Sequence, residues 1–136
     1  MKFNKLIPEL TVSNIEKSKW FYTEILGFKI EYERASDKFV FLSLGEAQIM
    51  LEEINGNWNV GELKYPFGNG VNFQIEVDSI DEIVDMVKEN HIELFKDVFC
   101  SRYQCDNITY IEKEIIVLDP DGYMLRFSET VECVEE

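Results

Sequence analysis

Polar and apolar residues alternate over several short stretches of the chain, and the alternation predicts strands. In 71–77, Val71, Phe73, Ile75 and Val77 are apolar, while Asn72, Gln74 and Glu76 are polar. Successive strand side chains point to opposite faces, so one face packs on a core and the other does not. The same split sets Leu10 and Val12 against Glu9 and Thr11, Ile49 and Leu51 against Gln48 and Glu52, and Leu125 and Phe127 against Arg126 and Ser128. Strands are therefore read at 6–12, 29–34, 39–44, 47–53, 71–77, 94–100, 108–118 and 123–129. The period changes after the first strand. Ile15, Trp20, Phe21, Ile25 and Leu26 recur at mostly helical spacing, Ser13-Asn14-Ile15-Glu16 forms a capping-box pattern with Ser13 as the cap, and Gly27 supplies a left-handed stop. A second helix opens at Asp78-Ser79-Ile80-Asp81-Glu82 and reaches Asn90, with His91 starting the exit turn.

The order then repeats. Val12 followed by Asn14-Ile15, and Val77 followed by Ser79-Ile80, mark the same strand-to-helix transition 65 residues apart. The economical description is an α+β fold of two βαβββ modules, at about 1–53 and 71–130, within one domain. Loop 54–70 joins them and carries Trp58, Tyr65 and Phe67, and a short acidic tail closes the chain at 131–136. The polar strand positions have two readings. In a flat sheet they are simply wetted. In a curled mixed sheet, Glu9, Gln48, Met50, Glu52, Asn72, Gln74, Glu76, Met124 and Arg126 share one concave surface, suited to a small molecule. Arg126 among Glu9, Glu52 and Glu76 also has a purely structural reading, as an ion-pair network across strands.

Charge narrows the choice of partner. Thirteen basic residues against 27 acidic ones give −14, a field that attracts cations and repels phosphate backbones, so nucleic acid is excluded as a partner. No apolar run is long enough for a membrane span, and residues 1–5 lack the features of a secretory leader, so a cytoplasmic protein is expected. Cys100, Cys105 and Cys133 form no CxxC pair and read as reduced thiols in strands. Phe67-Gly68-Asn69-Gly70 lacks the Lys-Ser/Thr of a phosphate loop and reads as a turn. Of the acidic pairs Glu52-Glu53 and Glu112/Glu114, only Glu52 is expected to face the concave side.

Val12-Ser13-Asn14-Ile15-Glu16-Lys17-Ser18, followed by Phe21-Tyr22 and Leu26-Gly27-Phe28, resembles the opening signature of the vicinal-oxygen-chelate superfamily, and Asp119-Pro120-Asp121-Gly122-Tyr123 resembles its closing one. That superfamily includes glyoxalase I, extradiol dioxygenases and the fosfomycin- and bleomycin-resistance proteins. Tyr32-Glu33-Arg34, 48–53 and 65–77 look most like the bleomycin-resistance branch. The resemblance implies the curled cup. It also places the superfamily's four metal ligands at Ile7, Met50, Asn72 and Arg126, none of them a typical ligand, and His91 is the only histidine. The reading that follows is a binding protein without cofactor or metal and without catalytic residues. As the resemblance implies, it is a homodimer sequestering a cationic or planar small molecule, possessing an acidic cup flanked by Trp58, Tyr65, Phe67, Phe99 and Tyr103. Two rivals stay open. One is a metal-dependent glyoxalase-like or dioxygenase-like enzyme using Glu9, Glu52 or Glu76. The other is a dimerisation or regulatory module whose cup is plugged by Arg126 paired with Glu9 and Glu76.

Overall fold

The computed structural model describes residues 1–135. Its elements run β1 (Glu9–Val12), α1 (Ile15–Trp20) continuing as a π-turn (Phe21–Ile25), β2 (Lys29–Arg34), a 3-10 turn (Ala35–Asp37), β3 (Phe39–Leu44), β4 (Ala47–Glu53), β5 (Asn72–Glu76), α2 (Asp81–Glu89), β6 (Lys96–Cys105), β7 (Ile108–Leu118) and β8 (Met124–Glu135). They form two four-stranded mixed sheets of identical plan. The first has the order β1-β4-β3-β2 with β1 parallel to β4, and the second β5-β8-β7-β6 with β5 parallel to β8. This is the α+β, twice-βαβββ architecture that the alternation predicts. The chain divides into two compact units, 1–67 with 119–122 and 68–118 with 123–135. Among the described residues no helix is long and apolar enough to cross a membrane.

In the first unit the inward positions named by the alternation, Leu10, Val12, Ile49 and Leu51, are buried together with Val40 and Leu42 of β3. The helical segment contributes Phe21, Tyr22, Ile25 and Leu26, all buried. Each such side chain stabilises by about 1.5–3 kcal/mol on transfer grounds. The cap differs from expectation. Asn14 is the N-cap and its side chain accepts from the Lys17 amide at 3.0 Å, because the Ser13 amide is drawn instead to the Asp121 carboxylate at 3.0 Å.

That second bond explains why the two signature stretches matter physically. Tyr22 donates its hydroxyl to Asp119 Oδ2 at 2.8 Å, and Asp119 Oδ1 accepts from the Asp121 amide at 2.9 Å. The closing turn is thereby clasped to Ser13, just before the first helical segment, and to Tyr22 within it. Gly122, at φ +94°, lies so close to Pro66 that a Cβ would stand 2.6 Å from the proline Cβ, so both space and backbone conformation demand glycine there.

In the second unit Ile75, Ile80, Ile83, Val87, Ile115, Val117, Leu125 and Phe127 are buried. Val71 is exposed and Phe73 and Val77 only half-buried, so the alternation overstates the burial of β5 at both ends. β6 runs on to Cys105 rather than ending near Cys100, turning through Asp106 at φ +56° into β7. Asp-Asn tolerates that left-handed geometry, and the turn it makes is easily missed where no glycine announces it. β8 likewise continues through residues read as a tail: 132–135 pair with 108–111 of β7. An acidic strand can hold its ladder because the bonds are made by the backbone while the carboxylates face water. Glu136, the last residue of that expected tail, lies outside the described residues.

Candidate functional site

The register places the outward face of the first sheet in rows. Arg34, Phe39, Glu52 and Thr11 form one, and Tyr32, Phe41, Met50 and Glu9 the next. Glu9, Met50 and Glu52 therefore do share a face, as the alternation predicts. The row neighbours Tyr32, Phe39, Phe41 and Arg34 were not foreseen. β3 reads Phe39-Val40-Phe41-Leu42, apolar on both faces, and a run without alternation does not say which side carries the site.

Tyr32 stacks on Phe41 with centroids 5.2 Å apart and planes 14° from parallel, and Phe3 meets Phe41 edge-on at 5.4 Å. Gln48 proves to be occupied. Its Oε1 accepts from the Asn4 amide and its Nε2 donates to the Lys2 carbonyl, both at 2.7 Å, so it ties the N-terminal segment to the sheet. Glu52 accepts from Asn55 Nδ2 at 2.6 Å and, at the long limit of a hydrogen bond, from the Trp58 indole at 3.4 Å. Burial raises the Glu9 carboxyl above the usual carboxylate range. The neighbouring charge of Glu52 adds to the rise and that of Arg34 opposes it.

The connecting loop presents Trp58 and Tyr65, 65% and 64% exposed, and the half-buried Phe67. Tyr65 lies against Gly122, so of these rings Trp58 is the one fastened to a candidate carboxylate. Hollows open on the first unit. One of about 430 Å³ is bordered by Ile15, Lys19, Glu33, Lys38, Phe39 and Glu53, and one of about 360 Å³ by Lys38, Glu52, Glu53 and Asn55 among others.

On the second sheet Asn72, Gln74, Glu76, Met124, Arg126 and Ser128 share a face, and the register brings Glu114 opposite Ser128 on that same face. This corrects the expectation for the Glu112/Glu114 pair. Glu114 faces the candidate side and is fully buried there. Its Oε1 accepts from Arg126 Nη2 at 3.0 Å and its Oε2 from the Tyr103 hydroxyl at 2.6 Å. Arg126 also donates to Asn72 Oδ1 at 3.2 Å and to the Tyr103 oxygen at 3.0 Å. Arg126 is thus neutralised by Glu114 and not by Glu76, one of the partners named in the rival plug reading. β7 supplies the nearer carboxylate, in the strand next to its own. Tyr103 joins the site through its hydroxyl, Gln74 donates to Ser128 Oγ at 3.3 Å, and Glu76 is exposed. Phe99 is half-buried beneath the Lys96 ammonium, 3.9 Å from its ring centroid.

A divalent metal does not fit the four superfamily positions. Ile7 and Met50 in the first unit offer no hard donor. In the second, the Asn72 carbonyl oxygen already accepts from Arg126, whose permanent cation stands where a ligand would be needed. Among the described residues no three His, Cys, Asp or Glu side chains gather in a ligating cluster, and His91 sits exposed in a left-handed turn.

Comparison with known proteins agrees with this architecture. The chain is 28% identical over 124 residues to a lactoylglutathione lyase of Neisseria meningitidis, covering 87% of this chain and 84% of that protein. It is 28% identical over 134 residues to a bleomycin resistance protein of Geobacillus stearothermophilus, covering 92% and 96%. A virulence protein of Salmonella typhimurium shares the fold at 20% identity and a TM-score of 0.67, over 96% of this chain and 100% of that one. So does a glyoxalase/bleomycin resistance protein/dioxygenase of Alicyclobacillus acidocaldarius, at 17% identity and a TM-score of 0.62, over 95% and 92%. The sequence pattern that defines the family spans residues 5–127, and the chain belongs to the Glyoxalase/Bleomycin resistance protein/Dioxygenase superfamily.

Proposed function

We propose that the protein is a non-catalytic, cytoplasmic small-molecule binding protein that sequesters a planar cationic ligand, its two modules acting as one domain in a homodimer. The observation that carries the reading is the pair Glu9 and Glu52 on one face of the first sheet with the Trp58 indole held on Glu52. Two carboxylates, one of them raised by burial and by the other's charge, gain from a cation placed beside them, and an exposed indole offers it a ring. The net charge of −14 draws such a ligand in. Met50, Tyr65 and Phe67 complete the proposed binding set of the first unit, and Asn72, Gln74, Glu76, Tyr103 and Arg126 are the proposed ligand-binding residues of the second. Gln48 acts in it by holding the N-terminal segment in place.

The test is a titration of tryptophan fluorescence with bleomycin, and with ethidium as a simpler planar cation, at low and moderate salt. Saturable quenching is expected, weaker at higher salt and lost in Trp58→Ala, where Trp20 remains as an internal reporter. Absence of a saturable response to both probes up to high micromolar concentration overturns the reading. The likeness to a lactoylglutathione lyase keeps a metal enzyme in view as a second reading, and one equivalent of tightly bound divalent metal in the purified protein would favour it.

A further inference from the structure

On the same face of the first sheet a cation of the protein's own already lies on an aromatic ring. Arg34 ends β2 directly opposite Phe39, and its guanidinium carbon stands 4.0 Å above the Phe39 ring centroid and 6.0 Å from that of Tyr32. Phe39 is otherwise buried, and its register partner on the other side is Glu52. One row further, Tyr32 lies stacked on Phe41, and the row ends at Glu9. Three aromatic side chains, Phe39 and Phe41 on β3 and Tyr32 on β2, thus lie to one side of the carboxylates of Glu52 on β4 and Glu9 on β1, with a planar cation over Phe39.

We propose that Arg34 is a built-in stand-in for the ligand: its guanidinium fills the position, over Phe39 and beside Tyr32, in which a guanidinium or amidinium group of the ligand stacks after displacing it. The inference rests on the cation-binding reading above and deepens it by naming the ligand class. A delocalised planar cation can lie flat at 4.0 Å on a ring, whereas a compact, strongly hydrated ammonium cannot present a plane. The hold on Arg34 is light. Its Nε donates to Asp37 at 3.2 Å, with the two side chains 51% and 58% exposed, and exposed ion pairs of this kind contribute little. Displacement therefore costs little, yet the internal occupant lowers apparent affinity by the fraction of time it fills the position.

The experiment is calorimetric titration of benzamidine, and of its neutral counterpart benzamide, into the wild type, Arg34→Ala, Arg34→Lys and Asp37→Ala, with folding checked by circular dichroism. Benzamidine is expected to bind Arg34→Ala about ten-fold more tightly than the wild type. A smaller gain is expected in Arg34→Lys, which keeps the charge but not the plane, and in Asp37→Ala, which loosens the guanidinium. Benzamide should bind none of them measurably. Equal or weaker benzamidine binding in Arg34→Ala and Arg34→Lys overturns the stand-in, as does benzamide binding as tightly as benzamidine. Silence toward benzamidine in every variant, with bleomycin still quenching Trp58, overturns the ligand class and leaves the cation-binding reading standing. The expected gain in Arg34→Ala without any bleomycin response supports the shelf and retires that drug. Should Arg34→Ala fail to fold, Arg34→Lys carries the comparison.

Discussion

Replacing Glu114 by leucine tests the polar cluster of the second sheet most directly. The carboxylate is fully buried and holds Arg126 through one oxygen and Tyr103 through the other, while the Arg126 side chain keeps only 22% of its exposure. Leucine removes the charge without opening a cavity, so the loss measured is electrostatic. Breaking a buried ion pair from one side costs about 3–5 kcal/mol, because the remaining charge is stranded. Asn72 and Tyr103 still accept from the guanidinium and some water reaches it, which places the cost near the lower end, at about 3 kcal/mol. For a chain of this size that is a fall of roughly 10 °C in melting temperature. The assay is urea unfolding followed by far-ultraviolet circular dichroism, with calorimetric melting alongside. The double variant Glu114→Leu with Arg126→Met removes both charges and should recover to within about 1 kcal/mol of the wild type, since an apolar pair of similar volume has no desolvation penalty to offset. A single variant within about 1 kcal/mol of the wild type, or a double variant less stable than Glu114→Leu alone, refutes the reasoning.

Two further outcomes follow from the first unit. Tyr22→Phe deletes the donor at 2.8 Å from Asp119 in a fully buried setting and should cost about 2 kcal/mol, a loss under about 0.5 kcal/mol showing that the clasp between turn and helix contributes nothing. Glu9 binds its proton more tightly folded than unfolded, chiefly through burial and then through Glu52, with Arg34 opposing. Its contribution to stability is therefore full below the ordinary value of 4.5 and is lost as the pH rises through the raised one. Relative to Glu9→Gln, the wild type should lose stability between about pH 4 and neutrality in urea midpoints, and a flat or rising difference contradicts the assignment.

Much of the second sheet's misreading traces to strand ends. Backbone pairing carries β8 on through Glu132 and Glu135, and carries β6 past Cys100, although composition alone marks these residues as tail or turn. Ladder bonds belong to the backbone, and side-chain polarity reports on them only where a face is buried.

The alternation of Leu10, Val12, Ile49, Leu51, Leu125 and Phe127 with polar neighbours was enough to determine the twice-repeated βαβββ order, and it put Glu9, Met50 and Glu52 on one face, because a strand's side-chain period is a local property of the backbone. The terminal signatures were legible for the same reason: a turn of Asp, Pro and Gly declares itself locally. Only the tertiary structure decided that Asp119 and Asp121 clasp Tyr22 and Ser13, that Arg126 is neutralised by Glu114 rather than by Glu76, and that Arg34 lies over Phe39. Each of these is a choice among several groups of suitable charge or shape. Strand order and register settle such choices, and both arise from packing across the chain, which no stretch of sequence records by itself.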